Sequence, residues 1–151
     1  MITSAKLLKL VLAIFLALSL MLQFLSFPGQ FRYMAEQEPE SAHLRWPLTA
    51  LTFTMILAVQ IIVMCVWKIV DALEKEIGKE TQLKFINYAI AALSYFWFVI
   101  ACGLVLLLLN ADDPGLPVVI TVIETAVTSV GLLFLFYRSL LKRALDRASN
   151  N

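Results

Sequence analysis

The sequence is poor in the residues on which most enzyme sites depend. Its 151 residues include two cysteines, one histidine and five glycines, and charged residues make up only 15% of the chain. No Cys-x-x-Cys pair, glycine-rich phosphate loop or nucleophile elbow is present. His43, beside Arg45 and scattered glutamates, lacks the further ligands that a metal site requires. We therefore predict a protein that is not an enzyme and that holds no cofactor or metal.

Charge is missing above all from four long stretches. Residues 10–31, 46–67, 85–111 and 114–137 contain no charged side chain except Glu124, and each is 22 to 27 residues long. A transmembrane helix needs about 20 apolar residues to cross about 30 Å of hydrocarbon, and its backbone has to satisfy its own hydrogen bonds there. The composition agrees, since 61% of the residues are hydrophobic and the mean hydropathy is +0.86. The sequence predicts an all-α fold, an integral membrane four-helix bundle.

Turn-forming residues set the expected bounds of the helices. Pro28-Gly29 predicts the end of the first span, and Trp46-Pro47 predicts the start of the second. The four spans are expected at about residues 7–27, 47–67, 86–109 and 117–137. Residues 28–46 are predicted to form an outer loop, and the whole chain, 1–151, a single domain.

The charges between the spans are sorted by side. With the amino terminus inside, ten of the twelve cations fall on the inner side and only Arg32 and Arg45 on the outer side. The outer segments are instead acidic, with three glutamates in the first and the pair Asp112-Asp113 in the second. Because short loops rich in lysine and arginine stay in the cytoplasm, we predict a multi-pass protein of the cell membrane with both termini cytoplasmic.

The inner segment between spans 2 and 3 has a helical pattern. Ile69, Leu73 and Ile77 recur every four residues among charged residues that are expected to face away. Span 2 is therefore predicted to project into the cytoplasm as an amphipathic helix that Gly78 ends. Its apolar face either packs on the other helix ends or forms a docking face for a cytoplasmic partner.

The last segment, residues 138–147, is basic and helical in pattern. Cations next to a span are attracted to anionic lipids of the inner leaflet. Its leucines are available to lie on the membrane surface. The bilayer, and no nucleic acid, is the partner that this pattern predicts.

Glu124 is the exception to the sorting of charge. It lies seven residues into span 4, with Thr121, Thr125 and Thr128 within about one turn. A lone charged carboxyl facing lipid costs a few kcal/mol, so it should be neutral, paired or turned inward. Three interpretations stay open: an interhelical hydrogen-bonding group, a contact to another membrane protein, and a proton- or cation-coupled transport site. No second acid and no His, Lys or Arg lies within the four charge-poor stretches to complete a relay.

Two glutamines also lie within the spans. Gln23 is expected at about the depth of Glu124, so the two could bond if spans 1 and 4 are neighbours. Gln60 is expected near the level of Ser94 and Tyr95. Such pairs between helices contribute about 1 kcal/mol and are usually structural. The predicted intramembrane polar site comprises Glu124, Thr121, Thr125, Thr128, Gln23 and Gln60.

Four segments carry a resemblance to a known family. They are Leu20-Met-Leu-Gln-Phe24, Leu44-Arg-Trp-Pro47, the stretch from Val59 to Ile69, and Lys84-Phe-Ile-Asn-Tyr88. With them the chain resembles the YoaS-like group of small four-span bacterial, often actinobacterial, membrane proteins of unknown function. It departs from the group at residues 77–82, where many members carry a Gly-x-x-Phe-Ser-like turn, and Glu124 is not part of the pattern.

The resemblance implies an integral membrane protein but no reaction. Members are sometimes encoded beside a small helix-turn-helix regulator, which suits a sensory or regulatory role. We predict a non-enzymatic interaction or regulatory protein, or an accessory subunit of a bacterial membrane complex. Its partner would be another membrane protein, a cytoplasmic regulator or a second copy. The alternative is a small proton- or cation-coupled transporter that uses Glu124.

Overall fold

The chain folds into long helices joined by very short connections. The structure, a computed structural model, describes residues 2–110 and 114–150, so the pair Asp112-Asp113 of the second predicted outer segment lies outside it. The helices are α1 (Ile2–Met21), α2 (Phe27–Gln37), α3 (Arg45–Glu74), α4 (Lys79–Asn110) and α5 (Gly115–Ser149). A π-helical turn, Leu22–Ser26, joins α1 to α2, and a 3₁₀ helix, Pro39–Leu44, joins α2 to α3. The predicted all-α fold class is confirmed.

Four helical runs are long and apolar enough to cross a membrane. They are Thr3–Gln37, Ala42–Glu74, Lys79–Leu109 and Gly115–Ser149. In the most apolar part of each run, no more than 22% of the residues are buried within the fold. A protein in water rarely leaves so much contiguous apolar surface exposed, whereas lipid covers it. The runs fit a membrane protein.

The first helix does not stop at Pro28-Gly29, and the predicted loop 28–46 is wrong. In the π-helical turn before this pair, the Phe27 amide donates to the carbonyl of Leu22, five residues back. The wider turn places Pro28 in the first turn of α2, where a missing N–H is tolerated. Residues 27–37 therefore continue the helix, and a single 3₁₀ helix then reverses the chain.

The four runs pack in the order of the chain. The first run contacts α3, α3 packs along α4, and α4 packs along α5. Among the described residues, the backbones of α1 and α5 do not approach each other. Spans 1 and 4, which the pairing of Gln23 with Glu124 required as neighbours, are separated by the two helices between them.

A small core joins α3, α4 and α5 at the end that holds the α3–α4 turn. Its buried members are Ile69, Ile86 and Leu141, one from each helix. Two hydrogen bonds flank it: the Tyr137 hydroxyl donates to Gln82 Oε1 (2.8 Å), and Arg138 Nε donates to Asn87 Oδ1 (2.7 Å). Since α5 is continuous to Ser149 and buries Leu141, the expectation that this part of the tail lies on the membrane surface is wrong for Leu141.

The end of α3 is set by Glu76 rather than by Gly78. Glu76 has a φ of +52°, and the Ile77 amide reaches back to the carbonyl of Ala72 (2.9 Å). This is a Schellman motif with a glutamate in the left-handed position where glycine is usual. The helix therefore ends at Glu74, and α4 begins five residues later at Lys79.

Candidate functional site

The predicted polar site is divided by the fold into two separate regions. Ser19, Gln23 and Gln60 meet between the first run and α3, and we call them the amide cluster. Glu124, Thr128 and Trp97 lie along α5 and α4, and we call them the Glu124 region. The separation follows from the packing order, because α1 and α5 lie at opposite ends of the row.

The amide cluster is buried and its donors are engaged. Gln60 Nε2 donates to Gln23 Oε1 (2.8 Å) and to Ser19 Oγ (3.3 Å), and all three side chains are at most 9% exposed. Gln23 Nε2 in turn donates to the carbonyl of Phe53 (3.3 Å). Buried polar groups stabilise a fold only when they find such partners. The cluster therefore joins the first run to α3, and its amide donors already have partners.

The π-helical turn positions this cluster. Gln23 lies within it, and the local change of helical phase sets which side chains meet α3. Phe24 follows and packs edge-on against Phe53, with ring centroids 5.8 Å apart at 80°. The aromatic pair flanks the bond from Gln23 to the Phe53 carbonyl, at the level where α3 and the turn meet.

Both predicted glutamine pairings are replaced by the one between Gln23 and Gln60. The predicted pair of Gln23 with Glu124 does not form, because α1 packs on α3. Tyr95 bonds instead to Thr54, their hydroxyl oxygens lying 2.8 Å apart. Ser19 was missed by the sequence analysis. Its spacing of four residues from Gln23, on one helical face, was the available signal.

The Glu124 carboxyl on α5 is buried but has no hydrogen-bond partner among the described residues. Both of its carboxyl oxygens are buried, and neither bonds to any group in the described part of the chain. The hydroxyls nearby are directed along their own helix, since each bonds to the carbonyl four residues back. The three bonds are Thr121 to Pro117, Thr125 to Thr121 and Thr128 to Glu124, each 2.8 Å. The predicted interhelical hydrogen bond of Glu124 is therefore not made within residues 2–110 and 114–150.

Thr128 alone of these threonines bonds across to α4. Trp97 Nε1 donates to its Oγ1 (2.9 Å). Both residues line a cavity of about 210 Å³ between the two helices. Gly131 lines the same cavity, and a Cβ placed there would meet Leu93 Cδ2 at 3.4 Å. The helices α4 and α5 thus approach closely at Gly131, about one turn after Thr128. Glu124 does not line this cavity, but its buried carboxyl, one turn away along α5, can accept a proton or an incoming donor.

No metal centre emerges from the described residues. Among them, no three His, Cys, Asp or Glu side chains lie close enough together to hold an ion. Glu124 is the only acid in its apolar run between residues 114 and 137. The region offers one titratable group and hydrogen-bonding hydroxyls.

The predicted docking face divides as well. Ile69 is buried in the core, whereas Leu73 and Ile77 are 55% and 43% exposed. The acids beside them do not all face away as predicted, because Lys9 of α1 forms ion pairs with both Asp71 and Glu74. These bonds hold the start of α1 against the end of α3.

A family model described as a protein of unknown function, DUF2975, matches residues 29–151. The chain belongs to the DUF2975 family. The match takes in α3, α4 and α5, and with them Gln60 and Glu124, but it begins after Ser19 and Gln23. No curated protein and no solved structure gives a significant match. The narrower resemblance to the YoaS-like group stays a prediction.

Proposed function

We propose that this DUF2975 protein is a bacterial cell-membrane protein that acts by binding a partner, as a regulatory component or accessory subunit of a membrane complex. Leu73 and Ile77 form the contact surface for that partner. The observation that carries the proposal is their exposure in a polar segment: 55% and 43% of these side chains is uncovered.

Exposed apolar residues in the spans need no partner other than lipid, but Leu73 and Ile77 lie beyond the predicted second span, residues 47–67. Leu73 is six residues past Trp67, about 9 Å along the helix axis. Charged residues surround both positions from Asp71 to Glu80. Apolar side chains in such surroundings are characteristic of protein contact surfaces rather than of lipid contact.

The proposed orientation places this surface in the cytoplasm. It rests on the ten cations that fall on the side of the α3–α4 turn and of both termini, against two on the other side. To test it, Cys65 and Cys102 would be replaced by alanine, and single cysteines introduced at Ser149 or Glu38. In intact cells a membrane-impermeant maleimide should label the cysteine at 38 and not the one at 149. The reverse pattern would overturn the orientation.

Photo-crosslinking in the native membrane tests the contact surface. A photoreactive amino acid at position 73 or 77 should give one discrete adduct, whose second chain is identified by mass spectrometry. L73E should abolish the adduct formed from position 77, and I77E should abolish the adduct formed from position 73. L140E, which introduces the same charge at an exposed leucine on α5, is the matched control and should leave it intact.

A second function, small proton- or cation-coupled transport, is favoured by one observation. Both Glu124 carboxyl oxygens are buried without a hydrogen-bond donor in the described residues. In proteoliposomes, a transporter would lose pH-gradient-driven uptake in E124Q. A partner-binding protein would keep its crosslinked adduct in that variant, so the two functions give opposite results.

A further inference from the structure

An apolar groove lies on one face of the row, where α1, α3 and α4 do not close against each other. It has a volume of about 740 Å³. Leucines of α1 form one wall, and Tyr88 and Ala91 of α4 lie on the other. The floor is one face of α3, from Leu57 to Lys68. A cavity of this size is in the range that holds a small molecule.

The groove has the length of one lipid leaflet. From Leu57 to Lys68 the chain advances eleven residues, about 16 Å along the helix, which is half of the about 30 Å hydrocarbon thickness. Its lining is apolar apart from the Tyr88 hydroxyl, Gln60, whose amide is engaged in the amide cluster, and Lys68 at one end. A lysine in this position can extend its ammonium to the level of lipid phosphates while its stem stays in the groove.

The cation at that end of the groove has no close ion-pair partner in the described part of the chain. Lys68 forms no ion pair in the described part of the chain, although Asp71 lies one turn away. Asp71 attracts Lys68 at longer range, but its close ion pair, like that of Glu74, is with Lys9. The groove therefore presents one unpaired cation at the mouth of an apolar channel.

We propose that this groove binds an anionic phospholipid, with one acyl chain between α1, α3 and α4 and the phosphate on Lys68. The inference rests on the proposed membrane location and goes beyond the proposed partner binding. The occupant follows from the match in length and from the complementary charge. A bound lipid would also cover the apolar side chains on both sides of the gap between α1 and α4.

Lipid binding to the purified full-length chain tests the charge. By native mass spectrometry in a non-ionic detergent, phosphatidylglycerol should bind more tightly than phosphatidylcholine with the same acyl chains. K68Q should weaken phosphatidylglycerol binding about five-fold, the effect of one interfacial cation, and leave phosphatidylcholine binding unchanged. K75Q removes a cation near the same end of α3 but outside the groove and should change neither.

Filling the groove tests the acyl-chain site. A91W places a large side chain on the α4 wall and should lower the binding of both lipids to the level of detergent background. A126W, at an exposed alanine of α5 outside the groove, is the control and should bind both lipids normally. Circular dichroism and the thermal midpoint verify that each variant is folded.

Three results would overturn the proposal. Equal affinity of the wild-type chain for the two lipids would remove the role of charge, and so would an unchanged affinity in K68Q. Dimers that A91W dissociates would show that a second copy occupies the groove. Loss of the photo-crosslinked adduct in L73E leaves this proposal untouched, because partner contact and lipid binding use different surfaces. Lipid binding can likewise fail while the adduct persists.

Discussion

The amide cluster and the Glu124 region solve the same problem in opposite ways. Each places polar side chains inside an apolar stretch, where an unsatisfied group is costly. A glutamine amide both donates and accepts, so Gln60 and Gln23 satisfy each other across two helices. A carboxylate only accepts, and the hydroxyls around Glu124 donate to their own helix. The first region specifies packing, and the second retains an unsatisfied group.

Replacing Glu124 should have the largest effect on stability, and a favourable one. In E124M an unbranched apolar side chain fills the same space without a carboxyl to desolvate, so we expect a gain of about 2–3 kcal/mol. Reversible unfolding in mixed detergent micelles measures it. T125M, one residue along α5, is the control and should change stability by less. A loss of stability in E124M would show that the carboxyl has a stabilising partner.

Breaking the amide cluster should have the next largest effect, in the opposite direction. Q60L leaves Gln23 Oε1 and Ser19 Oγ without their donor and should cost about 1–2 kcal/mol. The double variant Q23L/Q60L removes both members, so its loss of stability should be smaller than the sum of the losses in Q23L and Q60L. A coupling free energy of about 0.6–1.7 kcal/mol is expected in the same assay. Strict additivity would mean that the two amides do not bond to each other in the folded protein.

Among the described residues, one hydrogen bond joins α5 to α4 near Glu124, and removing it should cost less stability than breaking the amide cluster. T128V keeps the shape of the side chain but cannot accept from Trp97 Nε1, and we expect a loss of about 0.5–1 kcal/mol. T125V removes a hydroxyl that bonds only within α5, so it serves as the reference. Equal losses in the two variants would show that the bond from Trp97 contributes nothing. Tryptophan fluorescence gives a second measurement of the environment of Trp97.

Removing the ion pairs of Lys9 should have the smallest effect on stability. Like the amide cluster, these ion pairs join α1 to α3. K9Q removes both pairs with α3, and its thermal midpoint should fall at low salt. The difference from wild type should shrink near 1 M salt, where the Debye length is about 3 Å. R32Q breaks an exposed pair with Glu36 within one helix and should show no such shift at either salt concentration. A salt-independent fall in K9Q would point to lost packing instead.

Sequence reasoning succeeded where the signal is local. The absence of charge over about 20 residues at a time marked each apolar run, because a helix in lipid satisfies its backbone within its own segment. The apolar runs depend on neighbours along the chain, which a sequence displays directly. The spacing of Leu73 and Ile77 among charges left open whether they pack on other helix ends or stay exposed, and the structure leaves both exposed.

It failed where one helix acts on another or where two local signals compete. Pro28-Gly29 reads as a stop, but the π-helical turn before it let the helix continue. Gly78 reads as the end of α3, yet Glu76 took the left-handed position two residues earlier. Ile69 shares its spacing with Leu73 but is buried, because Ile86 and Leu141 come from two other helices to cover it.

The sequence by itself determined that this chain is helical, that four of its runs are apolar enough to cross a membrane, and that one acid lies apart from all the others. Only the tertiary structure decided which polar groups meet. It placed α3 beside α1 and kept α5 two helices away, so Gln23 reached Gln60 and left Glu124 without a donor among the described residues. The reason is physical: spacing along a helix fixes the face on which a side chain lies, but the neighbour of that face depends on how whole helices pack.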